Sequence, residues 1–152
     1  KFDCAVLTFQ KEFAERLVAS VGSKEYGRLT VTTYYRGEVE LLDPVPRNMF
    51  YPPPDVDSMV VRLRPREPPF QVADKEIFLE LVRTLFTQRN KKVRNAILPF
   101  LHKRGIKGEN ALGLADSLPF QDKRVRGLAP EDFGTLANEI VRNPRLVSPK
   151  EV

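Results

Sequence analysis

Cysteine occurs once, at Cys4, and histidine once, at His102, so the chain has neither a pair for an internal disulfide nor the makings of a His/Cys metal cluster. No apolar run approaches the ~20 residues that a membrane-spanning helix needs. The N-terminus shows no charged-then-apolar leader ending in small residues. Together these gaps point to a folded, cytoplasmic protein with no membrane and no metal partner. Acidic residues are missing too, but only locally. From Leu81 to Gly108 there are eight Lys/Arg, namely Arg83, Arg89, Lys91, Lys92, Arg94, Lys103, Arg104 and Lys107, and no Asp or Glu. The formal charge of the whole chain is +5, yet outside this stretch the remaining 17 basic residues face 20 acidic ones. The positive excess is confined to one segment, as expected of a face that meets phosphates.

With 152 residues, of which 41% are hydrophobic, the chain can bury a core in one ordinary domain or two small ones. It opens abruptly in a buried-strand pattern, Cys4 to Phe9, and so reads as starting in the middle of a domain. Phe13, Ala14, Leu17 and Val18 then recur at helical spacing, with Gly22 closing that helix. Arg28 to Tyr35 is β-rich by propensity, but the same residues also suit a short helix. Glu38 to Leu42 and Ser58 to Leu63 alternate polar and apolar, as an antiparallel pair completing a larger sheet would.

A break follows at Pro65-Arg66-Glu67-Pro68-Pro69, where the domain boundary is placed. Residues 1–66 and 67–152 form the two parts. Beyond the break the period becomes helical, with one stripe of Phe78, Leu81, Val82, Leu85 and Phe86 and another of Val93, Ile97, Phe100 and Leu101. Two further helices are expected at Asn110 to Leu118 and from Pro130 to Val141. The latter has Glu131 and Asp132 beside its positive dipole end, but Ala129 at its N-cap supplies no side-chain acceptor.

Three successive prolines in Phe50-Tyr51-Pro52-Pro53-Pro54-Asp55-Val56-Asp57-Ser58 fix φ and favour a stiff segment, which holds the aromatic at its start at a defined angle. A preset ring has a use in an enzyme that takes a base out of its stack, where base–aromatic stacking is worth ~1–3 kcal/mol. The competing reading is a proline-rich turn with Phe50 in the core. In Leu85-Phe86-Thr87-Gln88-Arg89-Asn90-Lys91-Lys92-Val93-Arg94-Asn95, the apolar face is taken by Val93 and Ile97. Arg89, Lys91, Lys92 and Arg94 are thus left outside, beside Asn90 and Asn95, which suits phosphate and 2′-hydroxyl binding. Arg62 and Arg64 project from one strand face, and Lys123, Arg124 and Arg126 form a second basic cluster in a loop. Cys4 reads as a small packed hydrophobe.

The proline string resembles the F-x-P-P-P-x-V-D-S motif of the ribosomal-RNA adenine N6,N6-dimethyltransferases, called KsgA in bacteria and Dim1 in archaea and eukaryotes. FQKEFAERLVASVGSKEYGRLTV, LFTQRNKKVRNAIL and LAPEDFGTLANEIV agree with the same family in order and spacing. The resemblance implies an α/β fold, the C-terminal part of a Rossmann-like class I methyltransferase sheet followed by a small all-α domain. It makes Arg28 to Tyr35 helical and assigns Phe50 to stacking on the target adenine. It also implies methyl transfer from S-adenosylmethionine to two adjacent adenosines of small-subunit rRNA, with the rRNA or a pre-30S particle as partner. The family's glycine-rich loop, its ribose-holding acid and its Asn-Leu-Pro-Tyr loop do not occur in this sequence. The methyl donor is therefore expected to be held in a part of the parent protein preceding these residues, and this polypeptide alone to be inactive. The alternatives are a non-catalytic RNA-binding or ribosome-assembly module and, more weakly, a DNA-binding helical domain.

Overall fold

In a computed structural model that describes residues 2–147, three strands form one antiparallel sheet. They are β1 (Ala5–Gln10), β2 (Gly37–Val45) and β3 (Ser58–Pro65), in the spatial order β1-β3-β2. The two alternating segments thus do pair, β2 against β3, with a register shift between Leu41 and Pro44, where the proline has no amide hydrogen to give the ladder. Period-two patterning sorts the faces. Phe9, Val39, Leu41, Met59, Val61 and Leu63 pack with Ala14, Leu17 and Leu29, while Arg62 and Arg64 stand opposite Glu40 and Glu38 on the other side.

Helix α1 (Lys11–Leu17) follows β1 directly and buries Ala14 and Leu17. Its expected stripe is only half right, because Phe13 and Val18 are exposed. The helix also stops at Leu17 rather than running on towards Gly22, which adopts φ 82° in the following turn. Two further expectations need correction. β1 is a strand, but Val6 is 57% and Leu7 44% exposed, since β1 pairs on one side with β3 and is an edge of this sheet. Cys4, just outside it, is exposed rather than packed.

The ambiguous segment is helical, α2 (Arg28–Arg36). A threonine explains how a β-branched run tolerates this. Thr30 accepts a hydrogen bond from the amide of Gly27 at 3.2 Å and donates its own hydroxyl to the carbonyl of Arg16 at 2.6 Å, capping α2 and tying it to the end of α1. Val31 and Tyr35 are then buried one turn apart. The chain turns straight from α2 into β2 at Gly37, where a Cβ would lie 2.8 Å from the backbone oxygen of Arg64.

The chain divides into two compact units between Pro69 and Phe70. The second is helical: α3 (Lys75–Phe86), α4 (Val93–Ala96), α5 (Leu98–Lys103), α6 (Gly108–Ser117), α7 (Pro130–Arg142) and α8 (Pro144–Val147). Asp74 caps α3 by accepting from the amide of Ile77 at 3.1 Å. Both predicted stripes turn inward, leaving only Phe86 partly exposed, stacked on Phe133 at 5.2 Å between ring centroids. The second stripe spans two short helices, α4 and α5, with Pro99 in the first turn of α5. Ala129 indeed offers no cap to α7, but Asp132 supplies the reverse half of a capping box by accepting the Ala129 amide at 3.0 Å.

Candidate nucleic-acid interface

The loop that carries Phe50 is closed at its base by one acid and one base. The Asp57 carboxylate accepts the backbone amide of Arg47 at 2.9 Å and lies 3.8 Å from the Arg47 guanidinium, which donates to the Asp55 carbonyl at 3.0 Å. The Asp57 carbonyl also takes the amide of Lys11 at the start of α1, at 2.9 Å. Arg47–Met49 forms a 3-10 turn, and the Phe50 amide donates back to the Arg47 carbonyl at 3.3 Å. Phe50 is therefore fixed through its backbone rather than by core packing. Its side chain is 41% exposed, and beside it Tyr51 is 99% exposed. The Tyr51–Pro52 peptide bond is cis. The proline-turn reading with a buried Phe50 does not hold.

Arg62 and Arg64 project together from β3, as alternation requires, but their surroundings differ. The Arg62 guanidinium meets the Glu40 carboxylate at 2.9 Å on the neighbouring strand, so its charge is already answered. Arg64 is exposed.

In the second unit, the two basic clusters predicted from separate stretches lie side by side. Backbone hydrogen bonds stitch them together: Val93 to the Lys123 carbonyl at 2.9 Å, Arg94 to Gln121 at 3.1 Å, Val125 to Lys91 at 3.0 Å and Arg126 to Arg89 at 3.0 Å. Lys92 and Arg124 form an antiparallel bridge, and the Arg124 guanidinium donates to the Asn90 carbonyl. Val93 and Val125 turn inward and are fully buried, which leaves Lys91, Lys123, Arg124 and Arg126 exposed and Arg89, Lys92 and Arg94 partly so. Asn90 and Asn95 are exposed among them. Seven cations from two segments thus share one surface, an arrangement suited to a polyanion.

The run of eight cations from Arg83 to Lys107 does not, however, form one phosphate-facing surface. Glu80 of α3 takes Lys103 at 3.1 Å and Arg104 at 2.8 Å. Arg104 also donates to the Leu146 carbonyl at 3.1 Å and lies 3.7 Å over the Phe100 ring. The hydrogen bond from Arg104 holds the Glu80 carboxyl below the usual glutamate range despite partial burial. This is an internal strut, invisible to charge counting because its acid lies just upstream of the acid-free stretch. Asp122 escapes sequence reasoning for the opposite reason: a lone acid before Lys123 looks like noise in a basic loop. Its Oδ1 lies 3.2 Å from the Lys92 ammonium and 3.6 Å from the Arg94 guanidinium.

Two open grooves of about 390 and 320 Å³ lie along α6. Both are lined by helices and the turns between them, and neither has the glycine-rich strand-to-helix turn that would seat S-adenosylmethionine. Among the described residues no group of three or more His, Cys, Asp or Glu could hold a metal ion, and no helix is long and apolar enough to cross a membrane.

The ribosomal RNA adenine dimethylase family matches residues 2–140. A probable ribosomal RNA small subunit methyltransferase A of Natronomonas pharaonis is 48% identical over 87% of this chain and 48% of its own length. The protein of the same name from Methanosarcina acetivorans is 44% identical over 91% of this chain and 51% of its own. This chain therefore spans about half the length of these curated relatives. In structure it is similar to a dimethyladenosine transferase from Plasmodium falciparum, with a TM-score of 0.76 and 30% identity over 93% of this chain and 58% of that one.

Proposed function

The chain belongs to the ribosomal RNA adenine dimethylase family, and from that premise we propose that it is part of an S-adenosylmethionine-dependent enzyme that dimethylates adjacent adenosines of small-subunit rRNA. Its partner is the rRNA within a precursor of the small ribosomal subunit. Residues 1–66 contribute to the methyltransferase domain and 67–152 bind RNA. The observation that carries this reading is the stitched surface of Arg89, Lys91, Lys92, Arg94, Lys123, Arg124 and Arg126, which has the charge and the flanking amides for phosphates and 2′-hydroxyls. Phe50, exposed on its clamped loop, offers a face to an adenine drawn out of its stack, an interaction worth ~1–3 kcal/mol.

The methyl donor is bound by parts of the parent protein other than these residues, and this polypeptide alone turns over no substrate. The adenine N6 lone pair is conjugated into the ring, so acceptors must hold the amino hydrogens during attack. The loop that supplies such acceptors in the family does not occur in this sequence. Methylation of undermethylated small-subunit particles by the 152-residue chain would refute this. A non-catalytic RNA-binding or assembly role suits the polypeptide taken by itself, since the cationic surface is present without a donor site. The RNA face is tested by Lys91→Glu with Arg94→Glu: the slope of log affinity against log salt should flatten by ~0.7–0.9 for each phosphate no longer neutralised. An unaltered slope would remove this surface from consideration.

A further inference from the structure

Within the two stitched segments, 89–94 and 121–126, there is one acid, Asp122, set among seven cations. It is not peripheral to them. One carboxylate oxygen serves both Lys92 at 3.2 Å and Arg94 at 3.6 Å, while the other accepts from the side-chain amide of Gln121 at 3.3 Å. Asp122 is itself well exposed, with 64% of its side chain open to solvent. A carboxylate in that position does two things. It sets the spacing of two cations that would otherwise repel each other, and it occupies the place between them that a phosphate oxygen would take.

We propose that Asp122 is a selectivity residue of the RNA-binding surface, a reading that rests on the RNA role proposed above. With its carboxylate present, Lys92 and Arg94 form a fork around one shared oxygen, at 3.2 and 3.6 Å. An RNA whose phosphates fall on the two prongs is bound without displacing the acid. An RNA whose phosphate falls between the prongs meets a negative charge. Nonspecific polyanions, which bind mainly by counterion release, are penalised because the patch carries one cation fewer in net terms. The device is a repulsive element built into an otherwise attractive surface.

The test uses the intact chain, two probes and three variants. The probes are a random-sequence RNA duplex and undermethylated small-subunit particles, with affinity followed across a salt series. Asp122→Asn keeps the shape and removes the charge. It should tighten binding to the duplex about fivefold at low salt, the value of two exposed ion pairs of ordinary strength, while binding to the particle changes less than about twofold. Asp122→Glu restores the charge and should return both probes towards the native values. Equal tightening on both probes, or none on the duplex, overturns the proposal. The third variant, Lys91→Glu with Arg94→Glu, separates the two levels: if it binds both probes as the native chain does, the underlying RNA reading is what has failed.

Discussion

Removing the guanidinium of Arg104 should cost the helical unit about 3 kcal/mol, and the geometry lets that figure be assembled from its parts. Arg104 is 16% and Glu80 20% exposed by side chain. The pair is bidentate, at 2.8 and 3.3 Å. In Arg104→Ala the largest loss is the charge-assisted pair, which leaves a mostly buried Glu80 with only the exposed Lys103, about 1–2 kcal/mol. The hydrogen bond to the Leu146 carbonyl adds about 0.5–1 kcal/mol, and the stacking on Phe100 a similar amount. Lys103→Ala, by contrast, should fall within about 0.5 kcal/mol of the native chain, because that lysine is 69% exposed. Urea denaturation followed by the far-UV helical signal is the assay. The chain has no tryptophan and its four tyrosines all precede Pro69, so tyrosine fluorescence serves as a simultaneous readout of the other unit. The pH dependence follows from the sign of the shift. Glu80 titrates lower in the folded chain than unfolded, so its contribution is complete above the ordinary glutamate range and is lost as pH falls through its folded pKa. Glu80→Gln should abolish that part of the acid sensitivity. An Arg104→Ala variant no less stable than Lys103→Ala would show that the strut carries no weight.

Asp57→Ala should release the Phe50 loop without unfolding the sheet, seen as faster hydrogen exchange at the Arg47 amide together with an unchanged tyrosine unfolding transition. Gly37→Ala should destabilise the first unit by about 1–3 kcal/mol in the same urea assay, since its new methyl would press on backbone that cannot rotate away. Asp74→Ala should cost the helical unit about 1 kcal/mol through loss of the α3 cap, and Asp74→Asn much less, as judged by thermal melting.

Most helices are legible in the sequence because one face of each is buried, so their apolar residues keep a period that the chain cannot hide. α3 and α7 show it plainly. The same logic misleads at β1, where an apolar run suggests burial, though among the described residues it has a neighbour, β3, on one edge alone. At α2 local propensity points both ways, and the deciding interaction, Thr30 with the Arg16 carbonyl, spans fourteen residues. The site divides along the same line. Outward cations can be named from helical phase, and Phe50 from its prolines. What sequence does not reveal is which acid answers which base. Glu80 lies 24 residues from Arg104 and Asp122 lies 30 from Lys92, and neither separation leaves a local signal.

The bonds between 89–94 and 121–126 also bear on how such a surface drifts over generations. Its register is held by main-chain amides and carbonyls, which no side-chain substitution removes, so individual lysines and arginines can be exchanged or relocated while the track keeps its alignment. Proline is the exception: at Val93, Arg94, Val125 or Arg126 it would delete a donor and open the seam, so Arg94 and Arg126 should tolerate most residues but that one, while the buried Val93 and Val125 need an apolar side chain as well.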